Sequence, residues 1–357
     1  MSRTTYRTAL LTLILLAACS QTATVPEATP KPVPETAPDA APEPAPRRTG
    51  VPIIFDTDLG YDCDDAGALA VLHALADRGE ANILATMTVV GDPHSAGALD
   101  VINTYYGRPD IPVGAYQGER WADARPYWYG SATDFLTPLV EGYPSSIKHK
   151  DSAPDAVQLY RKLLAAQPDN SVTVVAVGFS LNLANLLASA PDALSPLDGR
   201  ALVGRKVKRL VYMGGMVQGT RPDFNLGDGP YRNGSTARRV LAGWPTEIVF
   251  AGAEIGRSIM TGSSLQAHLP DNPVARAYDL YPGTNRGGER PSWDLTAVLY
   301  AVRGGGDFWR VVRDEHLTIS ADGTTRWQAG AVSPARHRLE QTSRSRDVEG
   351  ALEGLLN

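Results

Sequence analysis

From Val51 onward, short apolar segments rich in β-branched residues alternate with segments that have the periodicity of helices. The strand-like segments are Val51–Phe55, Ile83–Val90, Val172–Val177, Val207–Met213 and Glu247–Phe250. The helix-like segments are Asp65–Arg78, Ser95–Tyr106, Pro154–Ala166, Leu181–Ala190, Thr236–Ala242 and Leu295–Val302. This alternation predicts an α/β fold with a central, largely parallel sheet flanked by helices, in which ligands bind at the carboxyl ends of the strands.

Two regions interrupt this alternation. Residues 116–150 carry four aromatic residues among glycines and prolines, and we expect a long loop that either covers a site or packs on the sheet. These aromatic residues are Trp121, Tyr127, Trp128 and Tyr129. After Gly304 we expect two short strands, His316–Ser320 and Thr325–Gln328. A charged tail should follow them, and then a helix at Val348–Leu356.

The first 18 residues have the layout of a secretory signal, with Arg3 and Arg7 before a short apolar stretch. Leu16-Ala17-Ala18-Cys19 resembles the bacterial lipobox, which implies cleavage before Cys19 and lipidation of that cysteine. We therefore expect an exported, lipid-anchored protein, held in the outer membrane and facing the periplasm if the host is Gram-negative. An uncleaved anchor or a plain signal peptide is the alternative. With Cys19 lipidated, Cys63 is the only remaining thiol.

Residues 19–49 are rich in Pro, Ala and Glu, so we expect a disordered linker between the anchor and a single folded domain at 50–357. The chain is 43% hydrophobic, which is enough for a sizeable core. Its net charge of −5 and the absence of a Lys/Arg-rich run argue against nucleic acid as a partner. We expect a small-molecule ligand, and a homo-oligomer stays open.

The stretch FDTDLGYDCDDAGALAVL, Phe55–Leu72, contains five aspartates: Asp56, Asp58, Asp62, Asp64 and Asp65. One or two carboxylates are explained as favourable charges in the first turn of a helix. Five are not, because like charges raise one another's pKa unless a cation neutralises them. Hard oxygen ligands select Ca²⁺ or Mg²⁺, so the stretch predicts a metal site.

Two other acidic motifs fit this stretch less well. An EF-hand loop that begins at Asp56 needs an acidic or amide residue at its fifth position and Glu at its twelfth, where this chain has Gly60 and Gly67. A haloacid-dehalogenase-type phosphatase usually has Thr or Val two residues after its second aspartate, where Gly60 stands. The EF-hand is therefore excluded, and a Mg²⁺-dependent phosphatase is a minor alternative.

The aspartate stretch resembles the signature of the nucleoside hydrolases, the inosine-uridine-preferring nucleoside N-ribohydrolases. Four further stretches resemble this family in chain order: MTVVGDPH (Met87–His94), VTVVAVGFSLNLANLL (Val172–Leu187), LVYMGGMVQGTRPDFNLGD (Leu210–Asp228) and SWDLTAVLYAV (Ser292–Val302). Together they span Val51 to Arg303. The resemblance implies a nucleoside-hydrolase-like single domain with a mixed, largely parallel sheet.

The resemblance also implies roles for individual residues. The Ca²⁺ ligands would be Asp58, Asp65, the backbone carbonyl of Leu181 and Asp294. Substrate would be bound by Asp64, Asp92, Met213, Asp223, Asn225 and Trp293. Asp62, Asn182 and Glu254 are further candidates, although helix capping is an alternative role for Asn182 and a surface position for Glu254. Water held at the metal would lose a proton to Asp58 and attack the anomeric carbon through an oxocarbenium-like transition state.

The chain departs from the family pattern at four places. The aspartate motif is two residues longer, so its acidic pair is either Asp62-Cys63 or, as we favour, Asp64-Asp65. Trp293 replaces a histidine, Asp223 replaces a glutamate and Asp92 replaces an asparagine.

The expected activity is Ca²⁺-dependent hydrolysis of the N-glycosidic bond of a nucleoside or related riboside, which suits salvage of external nucleosides. The alternative is a riboside-binding protein of the same fold without turnover.

Overall fold

The computed structural model describes residues 50–118, 134–217, 219, 221–227 and 234–357. Its strands are β1 (Val51–Thr57), β2 (Ala81–Thr88), β3 (Val113–Ala115), β4 (Val172–Ala176), β5 (Val207–Met213), β6 (Glu247–Ala251), β7 (Met260–Thr261), β8 (Arg290–Pro291), β9 (Trp309–Val312), β10 (Glu315–Ile319), β11 (Thr325–Ala329) and β12 (Arg336–Gln341). Its α-helices are α1 (Asp64–Asp77), α2 (Ser95–Tyr105), α3 (Leu136–Gly142), α4 (Ala156–Ala166), α5 (Leu181–Ala188), α6 (Gly199–Lys206), α7 (Ser235–Gly243), α8 (Ala253–Arg257), α9 (Pro273–Leu280), α10 (Trp293–Arg303) and α11 (Ser345–Leu356).

Eight of these strands form one mixed sheet in the order β3-β2-β1-β4-β5-β6-β12-β9. Every neighbouring pair is parallel except β12 and β9, which are antiparallel. In the middle of the sheet, Phe55 of β1 lies opposite Thr86 of β2 and Val175 of β4. The largely parallel α/β architecture predicted from the sequence is confirmed.

Strand β1 is buried on both faces, as expected for a central parallel strand. Ile53 and Phe55 belong to the core on one face, and Ile54 belongs to the core on the other. Helix α1 packs against α10 and α11, and most of its residues are buried, so it lacks the polar stripe of a surface helix. This burial fixes the position of the aspartates at its first turn.

The expected charged tail is wrong, because its middle forms strand β12 inside the main sheet. The alternation of buried and exposed residues along β12 was not recognised in the sequence, because most residues of this segment are charged or polar. Leu339 is buried in the core, whereas Arg338 forms an ion pair with Glu315 and Glu340 forms one with Arg310. The predicted loop at 116–150 contains helix α3, and the helices α6 and α9 were also not predicted.

Some predictions fall outside the described residues. They are the signal sequence at 1–18, the linker at 19–49 with Cys19, and the four aromatic residues Trp121, Tyr127, Trp128 and Tyr129. Among the residues that the structure does describe, no helix combines the length and the apolar character needed to span a membrane.

Candidate active site

A pocket of about 410 Å³ lies where the main-sheet strands end. Its wall is built from the segment after β1, from Val177 after β4, from the loop after β5, and from the first residues of α8 and α10. These segments meet because the carboxyl ends of parallel strands share one edge of the sheet. The position agrees with the prediction from the strand and helix alternation.

Three buried carboxylates come together in the pocket wall: Asp64 and Asp65 from the first turn of α1, and Asp294 from the first turn of α10. One carboxylate oxygen of each lies within 4.8 Å of the others. The backbone N–H of Asp294 donates to Oδ2 of Asp64 over 3.1 Å, which ties the two helix starts together. Both helix N-termini favour negative charge, but three carboxylates exceed what these termini balance.

Asp58 adds a fourth buried carboxylate to the same wall. Gly178 allows β4 to approach, since a Cβ at this residue would lie 2.5 Å from the backbone nitrogen of Asp58. Within the described part of the chain, Oδ2 of Asp58 and Oδ2 of Asp65 are buried without a hydrogen-bond partner. Oδ1 of Asp65 accepts a hydrogen bond from the Thr57 hydroxyl.

The four carboxyls have strongly perturbed acidity. Burial, followed by the charges of neighbouring aspartates, raises the pKa of Asp58, Asp64, Asp65 and Asp294 well above the ordinary value. These four carboxyls cannot all be ionised at the same time unless a cation neutralises part of their charge. Buried carboxylate oxygens without hydrogen-bond donors are the ligand set that a hard divalent cation needs. The residues present therefore fit a metal site, and they add Asp64 to the expected ligands.

Asp62 lies outside this cluster. Its carboxylate pairs with the Arg290 guanidinium, whose Nε donates to Oδ1 over 2.9 Å, and its Oδ1 also accepts the Cys63 N–H. The guanidinium lies over the rings of Tyr281 and Trp293, at 5.1 and 5.0 Å from their centroids. Asp62 thus stabilises one wall of the pocket through Arg290. Of the two possible acidic pairs, Asp64-Asp65 is the one that lies in the carboxylate cluster.

Asp56 is also committed to protein contacts. Its carboxylate accepts hydrogen bonds from the Tyr160 hydroxyl over 2.8 Å and from Nδ2 of Asn182 over 3.1 Å. Burial raises the pKa of Asp56 to about 7 despite these two donors. The capping role considered for Asn182 is wrong, because α5 begins at Leu181 with Ser180 at the N-cap, and the amide instead joins Asp56 to the carbonyl of Thr88.

Met213, at the end of β5, and Asp223 and Asn225, in the loop after it, lie in the pocket wall. Oδ2 of Asp223 accepts the backbone N–H groups of Gly215 and Met216, which fixes the turn after β5. Nδ2 of Asn225 donates to the carbonyls of Val177 and Met213, at 2.6 and 3.2 Å. The three predicted sugar contacts therefore lie together, with two of them held by backbone hydrogen bonds.

Trp293 lines the pocket, and its indole N–H donates to the carbonyl of Ala253 over 2.8 Å. Four other predicted residues are not part of the described pocket wall: Asn182, described above, and Asp92, Leu181 and Glu254. Asp92 is buried with Oδ1 accepting the N–H of His94, and Leu181 is buried in a small cluster with Phe179 and Tyr61. Glu254 is exposed and accepts the N–H of Val217.

Among the wall residues that sequence reasoning missed are Tyr61, Arg221, Arg257, Tyr281 and Arg290. Tyr61 lies in the aspartate stretch between Gly60 and Asp62 and packs edge-to-face against Phe179. Its position in that stretch was the only signal for it. Arg221 lies within the stretch Leu210–Asp228, but the resemblance assigns it no role. Arg257, Tyr281 and Arg290 lie outside the stretches that resemble the family and reach the pocket through tertiary packing.

The comparisons with known proteins agree with this geometry. The family model described as inosine-uridine preferring nucleoside hydrolase matches residues 53–351. No curated protein matches the chain. Among solved structures, a plant nucleoside hydrolase, PpNRh1, is 18% identical with a TM-score of 0.59, over 86% of this chain and 98% of that one.

Two further solved structures have the same fold. The inosine-uridine preferring nucleoside hydrolase from Bacillus anthracis is 16% identical with a TM-score of 0.57, over 85% of this chain and 99% of that one. The type III effector protein XopQ, complexed with adenosine diphosphate ribose, is 14% identical with a TM-score of 0.62, over 87% and 93%. Since the family model covers most of the folded region, the chain belongs to the inosine-uridine preferring nucleoside hydrolase family.

Proposed function

We propose that this protein is a Ca²⁺-dependent N-ribohydrolase that cleaves the N-glycosidic bond of a nucleoside or related riboside. The observation that carries the proposal is the buried group of Asp58, Asp64, Asp65 and Asp294 in the wall of a pocket large enough for a small ligand. Membership of the family supports the same reaction class.

The cluster formed by Asp64, Asp65 and Asp294, together with Asp58, would hold the cation. When bound, Ca²⁺ would supply positive charge that polarises water and orients ribose hydroxyls. The buried Oδ2 atoms of Asp58 and Asp65 are available for this purpose, because the described residues give them no hydrogen bond. Asp62 and Asp56 are not candidates, because Arg290, Tyr160 and Asn182 already occupy their carboxylates.

Asp58 is our candidate for the base that accepts a proton from the attacking water. It lines the pocket together with the carboxylates that would hold the cation, and a carboxylate kept ionised there can accept a proton from water. As the bond to the leaving group breaks, positive charge develops on the ribosyl ring, and the surrounding carboxylates stabilise that charge. Asn225 and Met213 line the pocket on the side of β5, where they would contact the sugar.

The described pocket wall contains no histidine, so no imidazole within it can protonate the leaving group. Trp293 stands where the family has one, and its only N–H is held by Ala253. We therefore infer that rate depends steeply on the leaving group. p-Nitrophenyl riboside, whose phenolate departs without a proton, is the appropriate first substrate, and nucleosides with basic leaving groups follow.

The test measures reducing-sugar release from p-nitrophenyl riboside and a nucleoside panel by residues 50–357, with and without a Ca²⁺ chelator. We expect release that depends on Ca²⁺ and is lost in Asp58→Asn. Asp62→Asn is the matched control, since it removes a neighbouring carboxylate that we place outside the metal site. Activity that survives chelation and loss of bound metal would overturn the proposal.

The second candidate is a riboside-binding protein without turnover. The contact between the Trp293 indole and Ala253 favours it, because a tryptophan held in this way cannot act as the acid. A structural neighbour of the same fold, XopQ, has been solved with adenosine diphosphate ribose bound. Calorimetric binding of ribosides without sugar release would select this candidate over the hydrolase.

We also propose that the protein is exported and lipid-anchored through Cys19. The support is the sequence before Cys19, with its basic start, apolar stretch and lipobox-like Leu16-Ala17-Ala18. Incorporation of labelled palmitate into the full chain, compared with Cys19→Ser, tests the anchor. Equal labelling of both proteins would overturn it.

A further inference from the structure

The pocket wall has two kinds of charge at different depths. The carboxylates of Asp58, Asp64, Asp65 and Asp294 are buried, whereas Arg221 and Arg257 are exposed. The acidic groups therefore form the inner part of the pocket, and the two guanidiniums lie toward solvent. A riboside whose sugar reaches the carboxylates would have another of its groups beside the arginines.

The guanidiniums of Arg221 and Arg257 make no polar contact with the described residues of the protein. In the part of the chain that the structure describes, neither guanidinium has an ion pair or a hydrogen bond, although both line the pocket. Arg290, the third arginine of this wall, contrasts with them because Asp62 binds it. A guanidinium has five donors in a planar fork that matches carboxylate and phosphate oxygens. The two unpaired arginines thus offer a binding site for an anion.

Arg257 also lines an adjoining cavity of about 520 Å³, which it shares with Met216. Arg338 lies in that cavity too, but Glu315 and Glu340 pair with it. Among the described residues of the adjoining wall, Arg257 is therefore the arginine without a partner. The cavity provides room for a substituent that extends beyond the sugar.

We propose that the pocket selects ribosides that carry an anionic group, either a carboxylate or a phosphate, and that Arg221 and Arg257 bind this group. The proposal rests on the proposed function for the position of the sugar. The inner carboxylates repel an anion, since four of them exceed the charge of one divalent cation, so the anionic group must lie away from them. The arginines are at the outer part of the wall, where they favour that orientation.

The test compares ribosides with and without an anionic group. Uridine is compared with uridine 5′-monophosphate and with orotidine, which carries a carboxylate on the base. Nicotinamide riboside, a cation, is compared with nicotinic acid riboside, in which a carboxylate replaces the carboxamide. Affinity is measured by titration calorimetry with Ca²⁺, and kcat/KM by sugar release. We expect at least one anionic member to be favoured by about tenfold in affinity or kcat/KM. The phosphate and carboxylate arms identify which anion is recognised.

Arg221→Gln and Arg257→Gln should each reduce the ratio of anionic to neutral affinity several-fold, and the wild-type ratio should fall as salt rises. Arg200→Gln is the matched control, because Arg200 is exposed on α6 outside this wall, and it should leave the ratio unchanged. A ratio that neither variant alters overturns the assignment to these arginines.

The outcomes separate the two proposals. Cleavage of neutral ribosides with no preference for any anionic partner overturns this inference and leaves the proposed function standing. An anionic preference in binding without sugar release from any compound supports this inference and overturns the hydrolase. Absence of both binding and cleavage overturns both.

Discussion

Two pairs of aspartates that lie within ten residues of one another have opposite surroundings. Asp56 and Asp62 are paired, since Tyr160 and Asn182 donate to the first and Arg290 neutralises the second. Asp58 and Asp65 each keep a buried oxygen without a hydrogen-bond partner among the described residues. All four residues are aspartates in the same short stretch, but the protein supplies hydrogen-bond or ion-pair partners to Asp56 and Asp62 that it does not supply to the buried Oδ2 atoms of Asp58 and Asp65.

This difference supports the proposed position of the cation. A buried carboxylate that already has donors contributes to the fold, and an added ion would compete with those donors. A buried carboxylate without donors costs free energy unless something else neutralises it. The comparison therefore supports a structural role for Asp56 and Asp62, and the proposed metal-binding role for Asp58 and Asp65. Each prediction below tests one side of that division.

The largest expected effect comes from Asp65→Asn. Losing this carboxylate removes a charge from the group of Asp64, Asp65 and Asp294, so we expect loss of bound Ca²⁺. Activity on p-nitrophenyl riboside should fall by about 10³-fold, the scale of a lost electrostatic contact at a reacting centre. Metal content by mass spectrometry and kcat/KM are the measurements. The division between the pairs breaks if Asp62→Asn loses as much metal as Asp65→Asn.

The next largest effect is the contribution of Asp56 to the pH dependence of the unfolding free energy. Its carboxyl titrates near 3.8 in the unfolded chain, and burial raises the folded pKa to about 7. The folded state therefore holds the proton more tightly, and its stabilisation is complete below the unfolded pKa and is lost as pH rises through about 7. Relative to Asp56→Asn, wild-type unfolding free energy should fall by about 3 kcal/mol from about pH 4 to about pH 7.

Urea unfolding of both proteins across that pH range gives this difference directly. The subtraction cancels the titration of the metal cluster, which both proteins share. Parallel curves for wild type and variant would show that Asp56 is ionised throughout, with Tyr160 and Asn182 compensating for its burial.

Asp62→Asn should destabilise the fold without affecting the metal. The ion pair with Arg290 is mostly buried, with 22% of the Asp62 side chain and 13% of the Arg290 side chain exposed. Its loss should cost about 2 kcal/mol, between the values for surface and fully buried pairs. Thermal unfolding in excess Ca²⁺ measures the cost. Metal content unchanged from wild type is the accompanying expectation, and reduced content would move Asp62 into the metal site.

The sequence predicted the fold well where local patterns carry it. Strand β5 matches its prediction at both ends, and α1 begins one residue from the predicted start, because apolar periodicity follows directly from burial on the sheet. Strand β12 was missed, since its charged residues are balanced by partners such as Glu315 on other strands. Such pairing depends on tertiary neighbours, which the sequence does not display.

In the site as well, the residues that belong to a motif were predicted from the sequence, whereas the contacts that depend on tertiary structure were not. Asp65 and Asp294 were found because motif resemblance preserves residues that act together, and the structure brings them into one cluster. The commitment of Asp56 to Tyr160 and Asn182 was not predictable, because these partners lie 104 and 126 residues away in the chain. Arg221 and Arg257 were missed because no local pattern marks an arginine that lines a pocket. Residue type indicates what a side chain can bind, whereas the fold decides what it already binds.

The smallest expected effect has the opposite sign to the others and applies to the metal-free protein. Burial and the charges of Asp62 and Asp65 raise the pKa of Asp64, so ionising this carboxyl costs free energy when no cation is present. Asp64→Asn removes that cost, and its carbonyl oxygen can still accept the N–H of Asp294. We expect the variant to be more stable than wild type by about 1 kcal/mol in chelator, by urea unfolding near pH 8. In excess Ca²⁺ the order should reverse, because wild type alone gains the full binding free energy. A variant less stable than wild type in chelator would mean that Asp64 is satisfied by the protein, as Asp56 is, and the cluster would lose a member.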